Sequence, residues 1–243
     1  MLSFIAEAAR EDAPALVRPG GEQMTYATLA MATAAVMQAL GERVGDVAHR
    51  LVGVAVDEGA GFLASALAVL EAGGVVMPLD LRRGVPALEL EAARARALAV
   101  IVGDAADDRL DVVAVDASRR QLVDEACLVI DAGGRRAVHS RAGLGLAVDA
   151  VVRQVGLGAA SRLPLVGPLA HPSLLLTALA TLRAGGALLL IDALAADEQA
   201  RALAALGANV VAGPAAALEG LAGPGVARVV VAGDADLAAL AHA

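Results

Sequence analysis

The feature that most constrains this chain is an alternation along its whole length. Short β-branched or leucine-rich runs take turns with longer alanine-rich segments, which is the pattern of βα units that build a mainly parallel sheet. Several runs are apolar throughout rather than alternating, as strands covered on both faces must be. The strands predicted on this basis are Leu51 to Val56, Val75 to Met77, Ala99 to Val102, Val112 to Val115, Cys127 to Ile130, Leu163 to Val166, Ala187 to Ile191, Asn209 to Ala212 and Arg228 to Val231. Helices are predicted over Tyr26 to Leu40, around Phe62 to Leu70, and over Ala87 to Ala97, Gly143 to Gln154, Ser173 to Leu182, Ala193 to Leu206 and Pro214 to Leu221. The fold class is therefore α/β, with mainly parallel sheets flanked by helices. The charge-rich stretch from Asp104 to Glu125 separates two blocks of βα pattern, so the expected division is residues 1–125 and 126–243. No repeat of fixed period is read from the sequence.

Composition excludes several classes of function. At 58% hydrophobic over 243 residues the chain folds rather than staying disordered. A net charge of -8 offers no basic face to a phosphate backbone, so nucleic acid is not an expected partner. The opening MLSFIAEAAREDAP meets acidic residues early and does not read as a secretory signal. The apolar region Leu174 to Ile191 is interrupted by Arg183 and Gly185-Gly186, so no membrane span is expected, and a cytoplasmic location follows by default. One cysteine, Cys127, rules out an internal disulfide, and the histidines show no metal-ligand spacing. All 19 basic residues are arginine. A guanidinium stays protonated and planar, so it cannot take over a step that needs a compact lysine ammonium.

Particular segments carry more. Leu70 to Asp80, LEAGGVVMPLD, is a helix end, a glycine breaker and a buried strand stopped by Pro78. It resembles the helix-to-strand signature of the adenylate-forming enzymes, the family of acyl-CoA synthetases and nonribosomal peptide adenylation domains. Met24 to Leu29, MTYATL, is similar to that family's early "TYxxL" helix start. Ala137 to Leu144, AVHSRAGL, resembles the segment by which the family leaves its phosphate loop. Leu163 to His171 resembles a strand ending in a "PLFH"-like turn, and Leu179 to Ile191 resembles the following helix, double glycine and strand. Ala212-Gly213-Pro214 and Val229 to Gly233 fit later turns, so the resemblance runs through nearly the whole chain.

The resemblance implies a phosphate loop of the type TSGTTGxPKG between the strand at Cys127 and the helix after His139. Asp131 to Arg136, DAGGRR, stands in that place. It is too short for the full loop and lacks its hydroxyl donors and lysine. Gly133 and Gly134 with Arg135 and Arg136 remain as a small anion cradle or as a hairpin turn with solvated charges. By resemblance His171 lines an acyl or carboxylate pocket; its plain reading is a capping histidine before Pro172. The sequence stops at Ala243, ahead of the family's "YGxTE" motif and lysine-bearing C-terminal domain. The resemblance thus implies a truncated, degenerate N-terminal part without independent adenylation activity. It would act as a scaffold or binding partner in an acyl or peptide biosynthetic pathway. The alternatives are one half of a split carboxylate–AMP ligase completed by a second polypeptide, or an acyl or carboxylate binder. A protein partner or self-association is expected; no metal or catalytic residue is assigned, and ATP or AMP binding is doubtful.

Overall fold

The computed structural model describes residues 12–56, 59–104, 109–115, 126–132, 135–191, 194–213 and 227–230. Twelve strands are described: β1 (Pro14–Val17), β2 (Gln23–Thr25), β3 (Leu51–Val56), β4 (Val75–Pro78), β5 (Ala99–Asp104), β6 (Arg109–Ala114), β7 (Ala126–Ala132), β8 (Arg135–Ser140), β9 (Arg162–Leu165), β10 (Ala187–Leu190), β11 (Val210–Gly213) and β12 (Ala227–Val230). Helices α1 (Tyr26–Val44), α2 (Gly59–Glu71), α3 (Val85–Ala95), α4 (Arg141–Val155), α5 (Pro172–Arg183) and α6 (Ala196–Ala205) lie between them. The nine strands read from apolar runs are all found, within a few residues at their ends. The helix predicted over Pro214 to Leu221 lies outside the described residues.

Two six-stranded sheets result, ordered β6-β5-β3-β4-β7-β8 and β12-β11-β9-β10-β1-β2. The inner pairings β3–β4, β3–β5, β9–β10 and β9–β11 are parallel, as continuous apolar strands require. Among the described residues, antiparallel pairing is confined to β5–β6, β7–β8 and β1–β2. The chain forms two compact units. Among the described residues, the first holds Ala30 to Leu144, and the second combines residues up to Leu29 with those from Gly145 onward. The division expected between residues 125 and 126 therefore differs from the one found. β7 pairs with β4, which carries the β7–β8 hairpin into the first sheet, and β1 pairs with β10, which carries the β1–β2 hairpin into the second.

Each unit has its own core. In the first, Leu51, Val75, Met77, Leu88 and Val129 cluster around β3 and β4. In the second, Val17, Val166, Leu189, Ile191 and Leu203 cluster around β1 and β10. Helix α2 is buried from Phe62 through Leu70, and α5 from Ser173 through Leu182. Both helices are apolar on nearly every face, the composition expected of a helix with no side toward water.

The two halves repeat one another, a relation the sequence reading missed. At the end of α2, Gly73 N–H donates to Leu70 O, Gly74 N–H to Val69 O, and Val75 N–H to Arg50 O. At the end of α5, Gly185 donates to Leu182, Gly186 to Thr181, and Ala187 to Ser161. Gly73 and Gly185 take φ of 77° and 79°, a region open to glycine without steric cost. A Cβ on Gly74 would lie 3.0 Å from Val69 O, and one on Gly186 2.9 Å from Ser161 O. The hairpins correspond as well. Register shifts fall between Pro14 and Leu16 in one and between Ala126 and Leu128 in the other. Each hairpin then enters a helix through a hydroxyl cap: Thr28 N–H to Thr25 Oγ1 at 3.1 Å, and Gly143 N–H to Ser140 Oγ at 3.0 Å.

Candidate functional site

The place where a phosphate loop was expected is the β7–β8 hairpin. Its antiparallel ladder runs from Ala126↔Ser140 through Asp131↔Arg136 to Ala132↔Arg135. Gly133 and Gly134 lie outside the described residues, while Arg135 and Arg136 begin β8. A strand directs successive N–H groups to opposite edges, whereas an anion cradle gathers several on one point. The ladder leaves two residues between its last paired positions, fewer than a loop that wraps a triphosphate uses.

The exit of the hairpin is tied down by side chains. Arg141, the first residue of α4, donates through Nη1 to Leu70 O at 2.9 Å, capping the last turn of α2. Cys127 is fully buried on β7, and burial pushes its thiol up to about 11 although Arg141 opposes the shift. A thiol held protonated is a poor nucleophile, and Cys127 serves as a small core side chain. His139, half-buried on β8, is pushed below its ordinary range by burial. Among the described residues no group of three His, Cys, Asp or Glu side chains could hold a metal ion. None of the described helices is long and apolar enough to cross a membrane.

His171 belongs to the second unit. It is the N-cap residue of α5, with extended backbone (φ -74°, ψ 125°), and its N–H donates to Pro168 O at 2.9 Å. The side chain does not cap the helix; its Nδ1 lies 2.7 Å from the Oγ of Ser173, which is 2% exposed. From Ser173 a ladder of buried hydroxyls descends α5: Thr177 Oγ1 donates to Ser173 O at 2.7 Å and Thr181 Oγ1 to Thr177 O at 2.9 Å. The turn before it is fixed by Gly167 at φ 114°. The half-buried imidazole is thus held through Nδ1 in a defined orientation. Arg135 and Arg136 fall in the first unit and His171 in the second.

Sequence reasoning passed over Tyr26 as a structural anchor. Its hydroxyl donates toward Leu182 O at 3.1 Å and Gly186 O at 2.7 Å, and burial raises its phenol well above the ordinary range. Tyr26 opens α1 as Arg141 opens α4, and each caps the carbonyl of an equivalent leucine. The signal was its place directly after the capping Thr25.

The AMP-binding enzyme family model matches residues 5–144, more than half of the chain. The chain belongs to the AMP-binding enzyme family. A hybrid PKS-NRPS synthetase from Fusarium sp. (strain FN080326) is 32% identical over 102 residues, covering 42% of this chain and 3% of that protein. Among solved structures, the fold is similar to the N-terminal domain of FACL13 from Mycobacterium tuberculosis, at a TM-score of 0.74 and 16% identity. That likeness covers 94% of this chain and 69% of that one. It is also similar to a nonribosomal peptide synthetase, FmoA3, in an AMPPNP-bound form, with a TM-score of 0.72, 22% identity and 86% of this chain covered. The chain spans 24% of that synthetase's length. At these identities the structural likeness establishes the fold: the N-terminal architecture of adenylate-forming enzymes.

Proposed function

We propose that this AMP-binding family member has no independent adenylation activity. It acts as a binding or scaffolding component in acyl or peptide natural-product biosynthesis. The observation that carries this reading is the β7–β8 ladder, closed to Ala132↔Arg135 where an adenylating enzyme needs an open phosphate loop. A second hairpin, β1–β2, has a bulge and a helix entry like those of β7–β8, which supports reading β7–β8 as a fold-building element. The absence of lysine from the sequence supports it further, since no ammonium of this chain can meet the charge that develops at a transferring phosphoryl or acyl-adenylate. The Fusarium relative's description as a hybrid PKS-NRPS synthetase supports the biosynthetic setting. Carboxylate-dependent ATP–pyrophosphate exchange is expected to stay at background for the purified chain, and robust exchange would overturn the proposal. Exchange that appears only on mixing with a second polypeptide would establish a split ligase instead.

The oriented His171–Ser173 pair favours a second reading, retention of a small carboxylate or acyl ligand beside the head of α5. Thermal stabilisation by carboxylates without ATP, lost in His171→Ala, is its expected signature. No shift with a broad carboxylate panel would remove it.

A further inference from the structure

Residues 12–44 form an arm: the β1–β2 hairpin followed by α1. The hairpin completes a sheet whose neighbouring strand, β10, lies far along the chain, with Leu16 paired to Leu188 and Val17 to Leu189. Ala15, Leu16 and Val17 are at most 1% exposed in that seat, and Tyr26 fixes the arm by its two hydrogen bonds to Leu182 O and Gly186 O. All the atoms that receive the hairpin belong to residues far from it in sequence. A second copy of the chain presents the same ones.

The arm joins β3 through the short segment Gly45 to Arg50, and that segment is strained. Gly45 has φ 76°, and His49 takes φ 59°, a left-handed conformation that costs a side-chain-bearing residue free energy. The Nδ1 of His49 is buried without a hydrogen-bond partner. The equivalent turn in the second half, Gly156 to Ser161, carries neither feature. Its left-handed position is Gly156, and Ser161 Oγ accepts the Gly158 N–H at 2.9 Å. Of the two equivalent turns, only the one that tethers the arm combines the two features.

We propose that the chain exchanges this arm with a second copy of itself, the β1–β2 hairpin and Tyr26 of each seating on β10 and α5 of the other, with Gly45 to Arg50 as the hinge. The closed monomer and the exchanged pair share every contact outside the hinge, so hinge strain and protein concentration set the balance between them. The seat selects this arm over an unrelated strand. It requires apolar residues at the Leu16 and Val17 positions, in register with Leu188 and Leu189, and a phenol placed to reach two helix-end carbonyls.

Three variants in a Cys127→Ala background test the exchange: Val17→Cys, Leu189→Cys, and one chain carrying both. Refolded at low concentration, where the closed form prevails, the double variant should form its disulfide within one chain and run as a monomer. The two single variants, one of them tagged, should give a covalent heterodimer when co-refolded at high concentration and oxidised. Adding His49→Gly relieves the hinge and should lower the cross-linked fraction about fivefold. A double variant that cross-links internally, beside single variants that yield no heterodimer, would overturn the exchange, and an unchanged yield with His49→Gly would overturn the hinge. Should the cysteine variants fail to fold, the unsubstituted chain decides by light scattering after refolding at the same concentration. A dimer that persists for hours on dilution supports the exchange, whereas a monomer throughout, or a dimer that dissociates within seconds, overturns it.

Discussion

Tyr26 shows how one hydroxyl can serve as a joint. Tyr26→Phe leaves Leu182 O and Gly186 O short of a donor in a buried place, and a loss of about 1–3 kcal/mol is expected by urea denaturation. Titratable side chains give the molecule a predicted pH profile. The Arg82 side chain grips the Asp80 carboxylate through two hydrogen bonds, at 2.9 and 2.7 Å, and holds it below its usual range. Burial likewise depresses His139. A depressed folded-state value means that both contributions are present above the unfolded value and are lost as pH falls through the folded one. Cys127 and Tyr26 have the opposite sign. Their contributions are complete below the unfolded values and are lost as pH rises, for Cys127 between its ordinary 9.0 and about 11. Denaturation midpoints measured across pH should therefore peak between about 7 and 9 and fall on both sides. A midpoint that keeps rising above pH 10 would contradict the burial of both groups.

At the scale of elements, the turn from helix to strand is the unit the fold uses twice. In one such turn a Cβ on Gly186 would sit 2.9 Å from Ser161 O and 3.1 Å from Gly158 O, and backbone atoms cannot swing aside. Gly186→Ala should cost about 1–3 kcal/mol, and Gly74→Ala about the same. Gly158, with nothing within 4 Å of the added carbon and no left-handed backbone, should accept alanine within about 0.5 kcal/mol. Thermal melts of the three variants separate crowding from any general intolerance of substitution. Phe62 is 2% exposed on the buried helix α2, so Phe62→Ala should cost about 3–5 kcal/mol. These two turns were legible in sequence because a Gly-Gly pair stands between the helix and the strand, its first glycine left-handed and its second too crowded for a Cβ. Their equivalence was legible too, in LEAGGVVMPLD beside LRAGGALLLID, and was missed because no fixed period runs through the segments around them.

For the whole molecule, the two sheets are each completed by a hairpin that arrives from the other end of the strand order. Strands β3, β4, β5, β9 and β10 were readable because burial on both faces demands uninterrupted apolar runs. Strands β1 and β2 were not, since PALV and QMT are short, polar-flanked and strand-like only once a partner is in place. The candidate site was legible as a position but not as a geometry. DAGGRR announced a shortened loop, yet the ladder that closes it depends on β7 and β8 finding one another in register. His171 could be placed before a helix, but its bond to Ser173 awaited the extended backbone that turns the imidazole back along α5. By itself, then, the sequence determined the α/β class, the parallel inner strands, the glycine turns and the lack of any lysine. Those follow from local burial patterns and residue chemistry. Only the tertiary structure decided which hairpin completes which sheet, where the units divide and what Tyr26 and Arg141 hold. Strand pairing joins residues more than a hundred positions apart, and no local pattern encodes the partner.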